Sequence, residues 1–314
     1  VKLPSETETG RGGTEVCSFS CSGASNATDT CNSPTVCIVD GIFWSQMFSC
    51  FNYKFEMLGK IGRPDASSSK MARFRHRPHA NPLADNDFQF PCTGPDEFPF
   101  DLYYPAWRKQ RNAGAQEGHF DIVDIGCGYG DFVRNVSLAF PDLLTVGLEL
   151  RDIPVVLGQQ ALLDGRANGQ NENAAILRCN VMKHLPRLLA RQSIKFFTIM
   201  FPDPQFKASH ARRRVISPQL LSEYAYYLIP GGFLLICSDL RDLYLYMHST
   251  IAAHPFFCEV QVKEISGSDN DSHAIETILQ LMDRTADAER HMRKDADKTV
   301  YKAVFRCTKP ELTM

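Results

Sequence analysis

Short apolar runs and helix-like stretches alternate along the chain from Phe120 onward, and this alternation constrains the fold more than any other feature. We predict strands at Phe120–Ile125, Leu143–Leu148, Ala175–Cys179, Lys195–Phe201 and Phe233–Cys237. Helices are predicted between them, at Asp131–Phe140, Ile153–Ala167, Met182–Ala190 and Pro218–Leu228. An alternation of this kind predicts a parallel sheet that is covered by helices on both faces.

Two further apolar runs lie near the end of the chain, Phe256–Val262 and Val300–Arg306. We expect them to close the sheet as an antiparallel pair of strands. The polar stretch between them, Glu264–Lys298, is predicted to be part helix and part loop. The fold class predicted from the residues is therefore α/β, with a parallel sheet that ends in an antiparallel pair.

The composition limits the classes of protein to which the chain can belong. Its 314 residues carry a formal net charge of −2, and 44% of them are apolar and 22% charged. This balance excludes a wholly disordered chain and a coat protein that is basic throughout. No run approaches the roughly 20 consecutive apolar residues of a transmembrane helix, so no membrane association is expected. The N-terminus lacks a signal-peptide pattern and begins with Val1, which suggests a fragment or an extended N-terminus.

Three regions follow from the distribution of residue types. Residues 1–70, rich in Ser, Thr, Gly and Asn through Thr35, are predicted to be a low-complexity, disordered leader. Residues 71–118 form a predicted basic arm, and residues 119–314 form the predicted catalytic domain.

The 11 cysteines divide between these regions. In the leader, Cys17 and Cys21 could be half of a zinc site, but no second ligand pair follows at the required spacing, and free thiols are the alternative. Six cysteines follow the leader, mostly within apolar runs: Cys92, Cys127, Cys179, Cys237, Cys258 and Cys307. This placement favours buried, reduced thiols in an intracellular protein over a disulfide framework, and no metal site is predicted.

The first predicted strand runs into a glycine loop, D-I-G-C-G-Y-G, at Asp124–Gly130. Glycines at a strand-to-helix turn let a ligand approach backbone N–H groups. A dinucleotide fingerprint requires a third glycine where Asp131 stands, which lowers the case for NAD. Glu149 ends the second strand just over 20 residues past Gly126, where a carboxylate can bind both hydroxyls of a ribose. The alternative is an ordinary tight turn and a surface glutamate.

The fourth predicted strand ends in F-P-D-P, which places Asp203 between Pro202 and Pro204. In open α/β sheets, ligands bind beyond the carboxyl ends of the strands, so we expect Asp203 to point into the cleft. The two prolines stiffen the loop because they fix φ. The alternative is a Pro-rich turn whose aspartate bonds its own backbone.

Two basic segments flank the predicted cleft. The first, Lys207–Arg214, contains four permanent cations and His210 and suits nucleic-acid phosphates. The second, which contains Arg73, Arg75 and Arg77, is interleaved with aromatic residues and could lie along a nucleic acid or cover the cleft. A solvated surface and a disordered basic tail are the respective alternatives.

An ordered set of motifs extends over roughly Met71–Thr308, and with it the sequence resembles the tRNA (guanine-N7-)-methyltransferases in their eukaryotic form. The motifs are R-P-H-A-N-P-L-A-D (Arg77–Asp85), the glycine loop, G-L-E-L-R (Gly147–Arg151), M-K-H-L-P (Met182–Pro186), F-P-D-P-Q-F-K (Phe201–Lys207), R-V-I-S-P (Arg214–Pro218), L-L-S-E-Y-A-Y (Leu220–Tyr226) and H-P-F-F (His254–Phe257).

This resemblance implies a doubly wound, mostly parallel seven-stranded sheet of the class I methyltransferase type, with helices on both faces and an antiparallel last strand. It implies transfer of a methyl group from S-adenosylmethionine to N7 of a guanine in the tRNA variable loop. It further implies a heterodimer with a non-catalytic WD-repeat subunit, and a nuclear location that does not exclude the cytoplasm.

The resemblance also assigns roles to individual residues. The cofactor would be bound by Gly126, Gly128, Glu149, Leu150, Arg151, Asn180, Val181 and Met200. Asp203 would be the catalytic carboxylate. The substrate would be bound by Lys207, His210, Arg213, Asp239, Thr285, Asp287, Glu289, Arg73, Arg75 and Arg77. The expected T-x-x-E pattern is broken, because Ala288 stands where the glutamate is expected, and Asp287 and Glu289 are both candidates.

Two other functions remain open on the sequence. One is a class I methyltransferase that acts on another substrate, such as an mRNA cap guanine or a small molecule. The other is a non-catalytic RNA-binding scaffold of the same fold, which the broken T-x-x-E pattern keeps open.

Overall fold

The structure is a computed structural model, and it describes residues 80–84, 88, 90–105, 119–261, 269–285 and 299–310. The predicted leader, residues 1–70, and much of the predicted arm, residues 71–118, lie outside these ranges. The domain boundaries drawn from the sequence therefore stay predictions.

The described residues form a seven-stranded sheet in the order β3-β2-β1-β4-β5-β7-β6. The strands are β1 (Ile122–Ile125), β2 (Thr145–Glu149), β3 (Ala174–Arg178), β4 (Ile194–Met200), β5 (Leu228–Ser238), β6 (Phe257–Glu259) and β7 (Tyr301–Cys307). The first five run parallel to one another, and β7 runs antiparallel to both β5 and β6. This topology confirms the predicted fold class, including the antiparallel end of the sheet.

Helices connect the strands and cover both faces of the sheet. They are α1 (Phe100–Tyr103), α2 (Asp131–Ala139), α3 (Asp152–Arg166), α4 (Val181–Leu188), α5 (Pro218–Tyr227), α6 (Arg241–Ala252) and α7 (Asp269–Met282). Helix α6 was not predicted, although its buried residues Leu243, Met247 and Ile251 recur at a helical spacing. Helix α7 begins the part of the Glu264–Lys298 stretch that the structure describes. Within the described residues, no helix is long and apolar enough to cross a membrane.

The core lies on the two faces of the sheet, and the alternation of side chains along each strand divides it. On β1, Val123 and Ile125 pack into the cluster that includes Leu185 of α4 and Leu221 of α5. Ile122 packs on the other face, with Phe132 of α2 and with residues of α7. Both faces of the parallel strands are therefore covered.

The cysteines that the structure describes are all free, and five of the six are buried. Burial raises the pKa of the Cys237 thiol to about 12 and that of Cys92 to about 11, so these thiols stay protonated. This agrees with the predicted reduced thiols, except that Cys258 on the edge strand β6 is exposed. No group of three or more His, Cys, Asp or Glu in the described ranges is placed to hold a metal ion.

Candidate active site

The glycine loop connects β1 to α2 in a conformation that requires glycine. Gly126, Gly128 and Gly130 have φ angles of 79°, 55° and 75°, which side chains rarely allow. A Cβ on Gly130 would overlap the Cδ1 atom of Ile176, so this glycine allows the loop to pack against β3. At Gly126, by contrast, no described atom lies within 4 Å of the Cβ position. The backbone there is open to an incoming ligand.

Glu149, at the end of β2, lies directly against this loop and is only 6% exposed. Its Oε2 accepts a hydrogen bond from the Gly128 backbone N–H at 3.1 Å, and its Oε1 accepts one from the Arg151 backbone N–H at 2.8 Å. The Arg151 side chain donates from Nε to Oε1 at 3.1 Å and from Nη2 to Oε2 at 3.0 Å. The structure therefore brings together Gly128, Glu149 and Arg151, three of the residues that the family resemblance assigns to the cofactor.

Asp124 is a buried acid of the site that the sequence did not single out. Thr198 of β4 donates a hydrogen bond to its Oδ1 at 2.8 Å, while Oδ2 has no partner among the described residues. Burial raises the pKa of Asp124 to about 7, the Thr198 hydrogen bond opposes this, and the charge of Glu149 adds to it. Near neutral pH the site thus holds a carboxyl group that is poised between its two protonation states.

At the end of β3, Asn180 joins helix α4 to the N-terminal part of the chain. Its Oδ1 caps α4 by accepting from the Met182 backbone N–H at 3.1 Å, and its Nδ2 donates to the Pro82 carbonyl at 2.7 Å. Further along α4, the rings of Phe88 and Phe90 pack on His184. Pro82, Phe88 and Phe90 of the described arm therefore lie beside α4.

The loop that carries Asp203 is held in a constrained conformation. Phe201 and Gln205 have positive φ angles of 46° and 44°, a conformation that costs free energy and persists only where the surroundings impose it. The Phe201 backbone N–H donates to the Cys237 carbonyl at 3.0 Å, and Arg214 donates to the Gln205 carbonyl at 3.1 Å. Asp203 is half-buried between these anchors.

The charge of Asp203 acts on Arg151, which lies two residues past the end of β2. Desolvation lowers the pKa of the Arg151 guanidinium. The hydrogen bonds to Glu149, the charge of Glu149 and the charge of Asp203 outweigh it, so the pKa of Arg151 is raised. The predicted orientation of Asp203 into the cleft stays a prediction. Met200, the last residue of β4, is half-buried directly before the Asp203 loop.

The basic segment forms a 3-10 helix at Ala208–Arg213 that leads away from the Asp203 loop. Lys207 and Arg212 are exposed, whereas His210 and Arg213 are half-buried. Desolvation and the charges of Arg213, Lys207 and Arg212 lower the pKa of His210, so it is mostly neutral at pH 7. The segment therefore carries its positive charge on lysine and arginine rather than on histidine.

Arg214 differs from the other cations of this segment. It binds the Gln205 carbonyl, and its guanidinium lies 4.2 Å from the centroid of the Tyr246 ring on α6. This arginine fixes the shape of the Asp203 loop, so the basic surface contains fewer available cations than the sequence suggested.

Comparison with known proteins decides the family of this chain. A family model described as "Putative methyltransferase" matches residues 119–298. The tRNA (guanine-N(7)-)-methyltransferase of Dictyostelium discoideum is 35% identical over 243 residues, which is 76% of this chain and 82% of that protein. The Anopheles gambiae protein of the same name is 35% identical over 237 residues, 74% of this chain and 92% of that protein. The chain belongs to the tRNA (guanine-N7-)-methyltransferase family.

Among solved structures, the 16S rRNA methyltransferase KamB is similar with a TM-score of 0.42 and 16% identity. The match covers 67% of this chain and 94% of that one.

For the remaining predicted site residues of this family member, the structure gives only their position and burial. Asp239 follows β5 and is half-buried, as is Leu150, whereas Val181 is buried at the start of α4. Thr285 is buried just past α7, where its hydroxyl donates to the Met282 carbonyl at 3.4 Å. The others lie outside the described residues: Arg73, Arg75, Arg77, Asp287 and Glu289.

Replacing Asn180 by alanine should destabilise this methyltransferase by about 2 kcal/mol, roughly half from the lost helix cap and half from the lost bond to Pro82. Urea unfolding of the two proteins measures the difference. Asn168→Ala, which removes a bond to the Asp164 carbonyl on an exposed turn, is the matched control. An unchanged unfolding midpoint for Asn180→Ala would contradict the proposed link between α4 and the arm.

Proposed function

We propose that this protein transfers a methyl group from S-adenosylmethionine to N7 of a guanine in tRNA. One observation carries the proposal: Glu149, suited to a ribose, binds the Arg151 guanidinium, and the charge of Asp203, suited to a base, acts on the same guanidinium. The substrate is proposed from the relatives, which are about one-third identical to this chain. They are named tRNA (guanine-N(7)-)-methyltransferases.

The residues present fit S-adenosylmethionine by their chemistry. The cofactor carries an ammonium group, a ribose diol and an adenine. Asp124 offers a buried carboxyl oxygen without a described partner, which suits a cation, and Gly126 leaves backbone exposed beside it. Glu149 suits the diol, and Asn180 and Val181 would lie beside the adenine. When bound, the cofactor supplies an activated methyl group on a sulfonium.

The chain's own residues mainly have to position the guanine. Guanine N7 carries a lone pair and no proton, so no general base is required, and the mostly neutral His210 is not needed as one. Holding two reactants in line can lower the activation barrier by roughly 7–11 kcal/mol. Asp203 would accept hydrogen bonds from the N–H edge of the guanine. Its negative charge would also stabilise the positive charge that develops on the purine.

The basic segment would bind the tRNA backbone. Lys207 and Arg212 are exposed and Arg213 is half-buried, next to the Asp203 loop. Contacts of these cations with phosphates would release counterions, so we expect binding to weaken steeply with salt. The variable loop as the methylated region, a WD-repeat subunit as partner and a nuclear location are all proposals that rest on the family resemblance.

Methyl transfer to two tRNA transcripts tests the proposal. One carries a guanine in the variable loop and the other carries an adenine at that position. With radiolabelled cofactor, we expect the first alone to be labelled and the label to map to guanine N7 by chemical cleavage. The reactions are run with and without a candidate WD-repeat subunit.

Other outcomes identify the alternatives. Equal labelling of both transcripts would place the methylated base elsewhere in the tRNA. A capped mRNA is assayed in parallel, and if it is labelled while neither tRNA transcript is, the substrate is mRNA rather than tRNA. Absence of S-adenosylmethionine binding in calorimetry would indicate a non-catalytic RNA-binding scaffold.

A further inference from the structure

Phe206 exposes its ring to solvent at the end of the loop that carries Asp203. The residue is 58% exposed, more than any other large apolar residue in the described part of the chain. It belongs to none of the buried clusters, and its ring contacts no other ring or cation of the described residues. Single exposed apolar residues are common, so the exposure gains a meaning only from the place where the ring is held.

The backbone on both sides of Phe206 is fixed by hydrogen bonds. Gln205, directly before it, has a φ angle of 44°, which persists only because the surroundings impose it. Arg214 donates to the Gln205 carbonyl from Nε at 3.3 Å and from Nη2 at 3.1 Å. Directly after the ring, the Lys207 carbonyl accepts the His210 backbone N–H at 2.8 Å. The loop therefore presents the Phe206 ring from a backbone of defined shape.

The ring lies near Asp203 along the chain and next to cations. Asp203 precedes Phe206 by three residues, so their Cα atoms are at most about 11 Å apart. Lys207 follows directly and is exposed, as is Arg212 in the same basic segment. Proteins that bind single-stranded nucleic acids combine these two features, because bases stack on aromatic rings while cations contact the phosphates.

The proposed reaction leaves a base for this ring to cover. A guanine that offers its N–H edge to Asp203 cannot use that edge in a base pair, and enzymes that act on a base extrude it from its stack. The neighbouring base then loses a stacking partner. An aromatic ring that is exposed beside Asp203 can take the place of the extruded guanine against that neighbour.

We propose that Phe206 stacks on the base that neighbours the methylated guanine in the tRNA and so holds the RNA with the guanine extruded. The inference rests on the proposed function and deepens it, because it adds a residue that positions the substrate. Loss of the ring should therefore impair the use of tRNA. The affinity for S-adenosylhomocysteine, measured by calorimetry, should stay at its wild-type value.

The test measures kcat/KM for methyl transfer to tRNA by the full chain, with its non-catalytic subunit if methyl transfer requires one. Phe206→Ala should lower kcat/KM by about 10-fold, as expected for the loss of one stack between a base and an aromatic ring. Phe206→Tyr keeps the ring and should retain the wild-type value. Leu163→Ala is the matched control, because it removes an apolar residue that is 54% exposed near the C-terminal end of α3.

Two modified transcripts distinguish stacking from a structural role of Phe206. Each lacks the base on one side of the methylated guanine. On the transcript without the stacked base, the wild type and Phe206→Ala should be equally active, whereas their difference should persist on the other transcript. If Phe206 only shapes the Asp203 loop, Phe206→Ala loses the same factor on all transcripts, and stacking is overturned. Phe206→Leu keeps the apolar bulk without the aromatic ring, and it decides the question if Phe206→Ala does not fold.

The failure of this inference differs from the failure of the proposed function. Folded Phe206→Ala with wild-type kcat/KM overturns the stacking, and the proposed function stands as long as the wild type methylates the tRNA guanine. If the wild-type protein methylates no tRNA guanine, both are overturned.

Discussion

Replacing Asp203 by asparagine is expected to lower kcat for methyl transfer to tRNA by about 100-fold or more, the usual cost of removing a group that stabilises developing charge. Asparagine keeps the size of the side chain and one acceptor oxygen, but it removes the negative charge. The positive charge that develops on the guanine would then lack its nearest opposite charge. KM for tRNA should change less than kcat, because most of the binding free energy comes from contacts with the phosphate backbone.

The control for this variant is Asp164→Asn. Asp164 lies on the exposed face of α3, where its carboxylate accepts a hydrogen bond from Gln160. It therefore tests the loss of one negative charge away from the cleft, and kcat should stay at its wild-type value. A folded Asp203→Asn protein with near-normal kcat would rule out the proposed role of Asp203.

The parts of the fold that local signals encode could be predicted from the sequence. Ser217 followed by Pro218 predicted the start of α5, and the Ser217 hydroxyl does accept the Leu220 backbone N–H at 3.3 Å. The glycine loop and the acid that ends β2 were also predicted, because their spacing along the chain is set by one strand–helix–strand unit. Their juxtaposition through the Gly128 N–H is what the structure adds.

Features that depend on the register of distant strands could not be predicted. Asp124 lies opposite Thr198 because β1 pairs with β4 in that register, across more than 70 residues of chain. The position of Arg214 on Tyr246 depends on α6, which the sequence analysis missed. In both cases the residue type was visible, but its partner is brought near only by the assembled sheet.

The pH dependence of stability should reveal the buried Asp124. The pKa of Asp124 is about 7 in the folded protein, whereas the ordinary pKa of an aspartate is 3.8. Between pH 3.8 and about pH 7, the folded protein therefore holds a proton that the unfolded chain has released. Raising the pH through this window therefore favours unfolding, and the stabilisation is lost once the pH exceeds the folded pKa. The expected loss between about pH 5 and about pH 8 is roughly 2–3 kcal/mol from this group.

Asp124→Asn should remove this part of the pH dependence, because asparagine does not titrate. The measurement is urea unfolding of both proteins at a series of pH values, with Asp164→Asn as the control for loss of a carboxylate. All other titrating groups are common to the two proteins, so the difference between their curves isolates Asp124. Equal slopes for wild type and Asp124→Asn would show that the carboxyl group is not held protonated by burial.

The same proton should affect cofactor binding if Asp124 accepts the ammonium group. A bound cation favours the ionised carboxylate, so S-adenosylhomocysteine must displace the proton below about pH 7. Its affinity should rise with pH by up to about tenfold per unit below pH 7 and then level off. Calorimetry in buffers of different ionisation enthalpy should detect the released proton. In Asp124→Asn the affinity should be weaker and its pH slope smaller, and an unchanged slope would place the ammonium group elsewhere.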